Sequence, residues 1–457
     1  MLTRRGLLQR ASQTGLAAAL PLAPRTLVQP PDILVVVLDD MRTSDWEALP
    51  LTRAMLSGAT MYPNFIVSCP LCGPSRASLF TGQQVHNHGI NSNGSWDEFH
   101  QRVPASEQIQ VLAQGQGYHT VLSGKFINGA PERGSIGPGW SRFYVCGDEH
   151  YVNFPLNENG KTRRYRGRGS EAKYSTKVLE EHLVQEIVTT ASQTPMLMVY
   201  APQPPHRPAI PAPQHRKAYD NVNLQRTPAF NEFDVSDKPK MVRNLPRFSQ
   251  SKEANLERLN RRRLATMASA DESITNVIRA ISQARSSENL YVFIMSDNGW
   301  AMGDHRLTEK KEPYDACTRI PMLAHGPQFG QGENQRLCGI VDIAPTIAEL
   351  MQTTLSTVDG VSLLSDAERD AMLVEGPEGR YAALRSLDEL YVERKSGERE
   401  YYDYRDDPYE LSNRLASWGG YVPTLDPTRA QQLASRLVAL RTCAGERCWN
   451  AAASSGG

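Results

Sequence analysis

Continuous aliphatic runs alternate along the chain with stretches of helical period. Asp32-Ile-Leu-Val-Val-Val-Leu38 is apolar at every position after its first. A strand with one wet face would alternate, so this run predicts a strand buried on both faces, as in a parallel sheet covered by helices. Similar runs at 120–123, 195–200 and 290–295 predict its companions. Helical patterns at 106–114, 174–190 and 256–284 separate them. The alternation predicts an α/β fold, a large mixed and mostly parallel sheet flanked by helices.

The pattern then breaks in three places. Ala201 to Pro213 holds six prolines and can be neither helix nor interior strand, so it predicts a stiff loop after the strand at 195–200. Residues 221–252 are polar and irregular and read as a surface excursion. Past Leu350, short alternating runs at 380–385, 389–393 and 399–404 predict an antiparallel meander, closed by a helix over 428–440. These shifts predict a large unit over 31–352 and a smaller C-terminal unit over 353–457.

The first thirty residues differ from the rest. Thr3-Arg4-Arg5-Gly6-Leu7-Leu8-Gln9 is a twin-arginine pattern, followed by a short apolar stretch at 15–22. That stretch is shorter than the roughly 20 residues that span a bilayer, so residues 1–30 read as a signal peptide rather than an anchor. The expectation is an exported protein without stable membrane insertion. Composition adds that 50 basic residues balance 50 acidic ones, which removes the basic excess of a nucleic-acid binder. The basic clusters Lys161–Arg168 and Arg261–Arg263 read as solvated surface. The seven cysteines are an odd number, which leaves one unpaired or special. Cys443 and Cys448 are close enough to close a small loop.

Chemistry concentrates at strand ends. In parallel α/β sheets ligands bind beyond the carboxyl ends of the strands. The first strand runs into Asp39-Asp40, and the strand at 290–295 runs into Ser296-Asp297-Asn298-Gly299. Adjacent carboxylates repel unless a cation neutralises them, and carboxylate plus amide oxygens suit a hard divalent ion, calcium or magnesium. Pro74 and Gly82 bracket a short helix, with Cys72 just ahead of it. The positive end of that helix favours a nucleophile and an anionic substrate, and Arg76 lies one turn in. Cys69-x-x-Cys72 lacks the second pair that zinc would need, and any thioredoxin-like context.

Cys72-Gly-Pro-Ser-Arg76 continuing Ala-Ser-Leu-Phe-Thr81-Gly82 resembles the sulfatase signature Cys-x-Pro-Ser-Arg-x-x-x-x-Thr-Gly. The resemblance extends to Asp39-Asp40, Gly124-Lys125, the His206 loop, Ser296 to Gly299, Gly303-Asp-His305-Arg-Leu307, Lys310, and Tyr402 to Glu410. Within the family it is nearest to N-acetylglucosamine-6-sulfatases and extracellular heparan 6-sulfatases, through His86-Asn-His88-Gly89, Gly124-Lys-Phe-Ile-Asn-Gly129 and Gly137-Pro-Gly-Trp140.

The resemblance implies an alkaline-phosphatase-like fold and sulfate ester hydrolysis. It implies that a formylglycine-generating enzyme converts Cys72 to formylglycine (3-oxoalanine), whose hydrated form attacks sulfur. Asp39, Asp40, Asp297 and Asn298 would bind one Ca2+, or Mg2+, with residue 72 as a further ligand. Arg76 would hold the diol, Lys125 and Lys310 the sulfate oxygens, and His206 would protonate the leaving alcohol. The implied substrate is a sulfated carbohydrate, or else an aryl sulfate. One position departs. Many arylsulfatases carry histidine two residues after the lysine, where Ile127 stands here, with Asn128 beside it. His150 is the substitute considered for the missing base. The competing readings are a phosphomonoester or phosphonate monoester hydrolase of the same superfamily, and a non-catalytic glycan-binding relative.

Overall fold

The computed structural model describes residues 29–147, 150–167, 173–285 and 288–453. Most of the expected signal peptide, residues 1–28, lies outside the described residues. The strands of the large sheet are β1 (Asp32–Leu38), β2 (Thr60–Ile66), β3 (His119–Gly124), β4 (Arg142–Cys146), β5 (Pro155–Glu158), β6 (Lys161–Arg164), β7 (Met196–Ala201), β8 (Leu290–Ser296), β9 (Arg319–His325), β10 (Gly332–Glu333) and β11 (Cys338–Gly339). Their order is β10-β2-β9-β8-β1-β7-β3-β4-β5-β6, with β11 also on β2. The centre, β8-β1-β7-β3-β4, is parallel; β9 pairs antiparallel with both β8 and β2. The four expected strands are therefore the adjacent central ones.

The run in β1 is buried on both faces, as its lack of alternation requires. Ile33, Val35 and Val37 point into one core and Leu34, Val36 and Leu38 into the other. Each such side chain contributes about 1.5–3 kcal/mol by leaving water. The helices Ser175–Thr189 and Gln250–Ala284 cover the second face; Cys72–Thr81, Ile109–Gly115 and Ile343–Leu350 cover the first. The long helix begins six residues before the expected Leu256, because Ser249 caps it, accepting from Lys252 N at 3.3 Å.

Proline hid two strands from the sequence reading. β9 holds Pro321 in a buried interior strand. β2 holds Pro63 where its pairing with β9 slips between Tyr62 and Phe65, an irregularity that absorbs the missing donor.

The four-stranded second sheet is β12 (Met372–Glu375), β13 (Tyr381–Arg385), β14 (Glu389–Arg394) and β15 (Arg399–Asp403), an antiparallel meander. β12 adds a strand to the expected three. One face packs with Ile66, Tyr314 and Val341 of the large layer, and the other takes the helices Pro427–Arg441 and Glu446–Ala452. The connecting segment stays with the large core through Leu355 and Leu363. Cys443 and Cys448 form a disulfide. Cys69, Cys146, Cys317 and Cys338 are buried and lie outside that disulfide, filling the core as small apolar side chains. No helix among the described residues is long and apolar enough to cross a membrane.

Candidate active site

Four neighbouring strand ends deliver the expected residues to one place. Leu38 of β1 is in register with Ser296 of β8, so Asp39 and Asp297 leave the sheet side by side. Asp297 N donates to Leu38 O at 3.1 Å, and Asp40 N donates to Asp297 Oδ1 at 3.0 Å. On the other flank, Asp39 N donates to Pro204 O, tying in the proline-rich loop after β7. Lys125 follows β3, its N–H on Ala201 O at 2.8 Å. Gly124 allows that crossing: a Cβ there, at φ 129°, would lie 2.0 Å from Ala201 O.

Cys72 is the first residue of the helix Cys72–Thr81, not the residue ahead of it, and Gly82 ends the helix in the left-handed conformation at φ 71°. Every residue of this helix is buried. Cys72 Sγ lies 3.4 Å from Asp39 Oδ1, 3.9 Å from Asp40 Oδ1 and 2.8 Å from Lys310 Nζ. Arg76 straps three strand ends together. Its Nε donates to Asp297 Oδ2 at 2.8 Å and its Nη1 to Lys125 O at 2.7 Å, while Nη2 is 3.6 Å from Asp39 Oδ2. Lys125 Nζ donates to Asp39 Oδ2 at 2.8 Å, and Lys310 Nζ also donates to Asp40 Oδ1. His206 Nε2 is 3.5 Å from Asp40 Oδ2, and Nδ1 is 2.5 Å from Arg207 O.

The electrostatics follow from this crowding. Burial opposes ionisation of Asp39, yet Lys125, His206, Arg76 and Lys310 hold its carboxyl well below the usual range. Cys72 goes the other way. Burial, then the carboxylates of Asp297 and Asp39, push its thiol well above the ordinary value against Lys125 and Lys310. The helix start was expected to favour a reactive thiol; burial, joined by the neighbouring carboxylates, outweighs it and disfavours the thiolate.

The donor set fits a hard divalent ion. Asp40 Oδ2 and Asn298 Oδ1 are buried and accept no hydrogen bond, a costly state that a cation would relieve. Ligand atoms of Asp39, Asp40, Cys72 and His206 lie within 4.8 Å of one another. Asn298 Nδ2 donates to Asp40 Oδ1 at 2.6 Å, which turns its own oxygen away from that carboxylate. Asp297 accepts one hydrogen bond on each oxygen, leaving each a second lone pair.

Other expected residues lie elsewhere. Ile127 is in the apolar core. His150 packs its ring against Gly147 and is not among the ligand-type groups gathered around Cys72. His88 is buried against Ser78 Oγ at 3.0 Å, and burial brings it down to about 3. His86 bridges Glu375 and Cys443 O, fastening the disulfide loop to the first core. His305 is buried between Glu232 (2.6 Å) and Glu410 (3.6 Å), away from Cys72.

Arg263 was missed by the sequence reading. It is fully buried, not solvated surface. Its guanidinium donates to Asp40 O at 2.5 Å, Pro205 O at 3.1 Å and Asp45 Oδ2 at 3.1 Å, holding the Asp39-Asp40 turn to the His206 loop. A signal was available. Leu256, Asn260, Arg263, Met267, Asp271, Ile274, Ile278 and Ile281 follow one buried stripe of the long helix. A polar residue at a core position implies a buried partner. Asn260 accepts from Arg42, and Asp271 caps the helix Pro50–Met55 through the N–H groups of Leu51 and Thr52.

Comparison with known proteins agrees with this geometry. Residues 31–353 match the family described as Sulfatase. N-acetylglucosamine-6-sulfatase of Capra hircus is 27% identical, over 92% of this chain and 84% of its own. A putative extracellular sulfatase Sulf-1 homolog of Caenorhabditis elegans is 25% identical, over 80% and 55%. Among solved structures, one described as a complex with its substrate D-glucosamine-2-N,6-O-disulfate superposes with TM-score 0.76 at 19% identity, covering 90% of this chain and 97% of its own. The phosphonate monoester hydrolase of Agrobacterium radiobacter superposes at 0.70 and 18% identity, over 90% and 95%, and so shares the fold. With the signature helix seated at the ends of β1 and β8 and the family match running through both, the chain belongs to the sulfatase family.

Proposed function

We propose that this sulfatase hydrolyses the sulfate ester of a sulfated sugar, such as N-acetylglucosamine 6-sulfate, with residue 72 oxidised to formylglycine by a formylglycine-generating enzyme. The observation that carries the reading is the setting of Cys72. Its thiol is buried between Asp39 and Lys310, where burial and the carboxylates disfavour the thiolate, so the unmodified side chain is a poor nucleophile at the position of the family's signature cysteine. Once modified, residue 72 would supply a hydrated aldehyde as the attacking oxygen. A calcium or magnesium ion held by Asp39, Asp40, Asp297, Asn298 and residue 72 would supply positive charge for the sulfate oxygens.

The chain's own groups do the rest. The ammonium groups of Lys125 and Lys310 flank residue 72 and can neutralise the sulfate. Arg76 fixes Asp297 and the Lys125 backbone, which sets the spacing of those charges. His206 donates Nδ1–H to Arg207 O, so its exchangeable proton sits on Nε2, beside Asp40, where a leaving alcohol can take it. We place catalysis in residues 31–352, with 353–457 as a smaller unit behind it. We also propose export through the twin-arginine leader, a route that carries folded protein and so permits modification first.

The test is mass spectrometry of the peptide holding Cys72, from chain coexpressed with a formylglycine-generating enzyme, beside an assay of sulfate release. The expected result is the mass deficit of formylglycine together with hydrolysis of an aryl sulfate and of a sulfated glucosamine. An active enzyme with an unmodified thiol would overturn the mechanism. Faster cleavage of the matching phosphate or phosphonate ester would move the chain to the other activity of its fold.

A further inference from the structure

A cavity of about 580 Å3 opens beside the site. Six cations line it, Arg207, Arg216, Lys252, Arg258, Arg261 and Arg262, against one acid, Asp220. The whole chain carries equal numbers of both signs, so this is a local concentration of charge. The acids that alternate with these cations along the long helix are engaged elsewhere. Glu253 pairs with Arg226 at 2.7 Å and accepts from Asn231 at 2.8 Å. Glu257 accepts from Leu224 N at 2.6 Å and reaches only Arg261, at 3.7 Å. Arg207, Arg216, Lys252, Arg258 and Arg262 have no carboxylate partner among the described residues. Like charges gathered without counter-charge repel one another, and an anion relieves them.

Two of the lining residues, Arg207 and Thr308, sit next to site residues in the chain. Arg207 follows His206, whose Nε2 faces Asp40 at 3.5 Å. Thr308, also in the lining, is two residues before Lys310, whose Nζ touches Cys72 Sγ. The Trp300 ring stands between them, 5.9 Å from the Arg207 guanidinium and 5.8 Å from Lys310 Nζ. The volume falls within the range of about 300–1,000 Å3 usual for ligand pockets.

We propose that this cavity is a second anion subsite that takes a sulfate or carboxylate of a sugar adjoining the one whose ester is cleaved, so that the substrate is a polyanionic oligosaccharide rather than a lone monosulfated sugar or an aryl ester. The inference rests on the sulfated-sugar reading above and narrows it. It also gives the proline-rich loop two tasks on consecutive residues, the proton at His206 and the second anion at Arg207.

The test uses the full chain with Arg258→Glu and Arg262→Glu together, two exposed positions one helical turn apart, and the milder Arg258→Gln/Arg262→Gln pair as a graded control. Calorimetry with a heparin hexasaccharide should show binding weakened about tenfold or more by the reversal at low salt, with the difference closing near 1 M salt, where the Debye length is about 3 Å. The ratio of kcat/KM for a multiply sulfated hexasaccharide over a monosulfated monosaccharide should fall about tenfold, through KM. Unchanged hexasaccharide binding, or an equal loss on both substrates, overturns the subsite. Weakened binding in a protein whose wild type releases no sulfate supports the subsite and sinks the hydrolysis reading instead.

Discussion

The loop from Asp297 to Thr318 serves two buried clusters of charge. Its Asp297, Asn298 and Lys310 face Cys72, whereas its His305, Glu312 and Asp315 face the second sheet. There Arg385 and Arg319 hold Asp315, Arg394 joins Glu312 at 2.9 Å and Glu400 at 2.6 Å, and Glu410 accepts from Asp315 N. Both clusters are largely buried and dense in ions, but their spare groups differ. In the joint, Arg385 Nη1 and Arg394 Nη2 are guanidinium nitrogens without acceptors; at the strand ends Arg76 Nη2 and Arg263 Nε are unpaired too, but so are two oxygens, Asp40 Oδ2 and Asn298 Oδ1. Spare nitrogens repel a cation and spare oxygens invite one. The joint offers a cation nothing, whereas the strand-end oxygens support the proposal that an ion and a substrate complete the site. Both being buried, charge alone would not tell them apart.

That contrast breaks most sharply by mutation. Cys72→Ala in the site should lower sulfate release by about 10^4-fold or more while leaving the unfolding midpoint near wild type. An equal fall in stability would mean that the site, too, holds the fold. Arg394→Met in the joint should do the reverse. Removing one partner strands the carboxylates of Glu312 and Glu400, which costs about 3–5 kcal/mol by denaturant unfolding. The activity of the protein that remains folded should change little, because Arg394 touches nothing at Cys72. A large loss of kcat in folded Arg394→Met would show that the loop transmits strain from joint to site.

The two clusters were unequally legible in the sequence. The strand-end site announces itself locally: an aliphatic run that stops at Asp39-Asp40, another that stops at Asp297-Asn298, and a bracketed helix carrying Cys72 and Arg76. Each signal occupies about ten consecutive residues, and the parallel register of β1 and β8 brings them together. The joint pairs Asp315 with Arg385, His305 with Glu232 and Glu410, and Glu312 with Arg394, partners far apart in sequence on elements of little individual pattern. Glu410 and His305 were visible as motif positions, but their contact required the meander to be docked. Arg263 was hidden differently. Two of its three partners are the backbone carbonyls of Asp40 and Pro205, which leave no complementary side chain to read, and the third, Asp45, lies 218 residues away. Ile127 shows the opposite failure: the motif led to an expected base, and the side chain there packs into the core.

Metal removal sharpens the comparison next. The spare oxygens predict that a chelator lowers both activity and the unfolding midpoint, and that calcium restores them. A ligand held at a hundred times its dissociation constant adds about 2.7 kcal/mol. The same increment should appear in Arg394→Met, since the joint takes no part in binding. Calcium without effect on stability would remove the argument from Asp40 Oδ2 and Asn298 Oδ1.

The smallest expected effect lies in the joint and depends on pH. Burial opposes protonation of His305, but its hydrogen bonds to Glu232 and Glu410 win and raise it from the ordinary 6.5 to about 9. A histidine bound more tightly to its proton when folded stabilises the fold fully below its unfolded value. That stabilisation drains away as pH rises through the folded one. The wild type should therefore lose on the order of 2 kcal/mol between about pH 6.5 and pH 9 relative to His305→Gln, whose amide keeps the shape and does not titrate. Unfolding curves of the two proteins across that interval measure the difference directly. Parallel curves would mean that the joint holds His305 neutral. The second sheet would then be fastened by hydrogen bonds and packing there, and the contrast with the proposed ion site would rest on Arg385 and Arg394 alone.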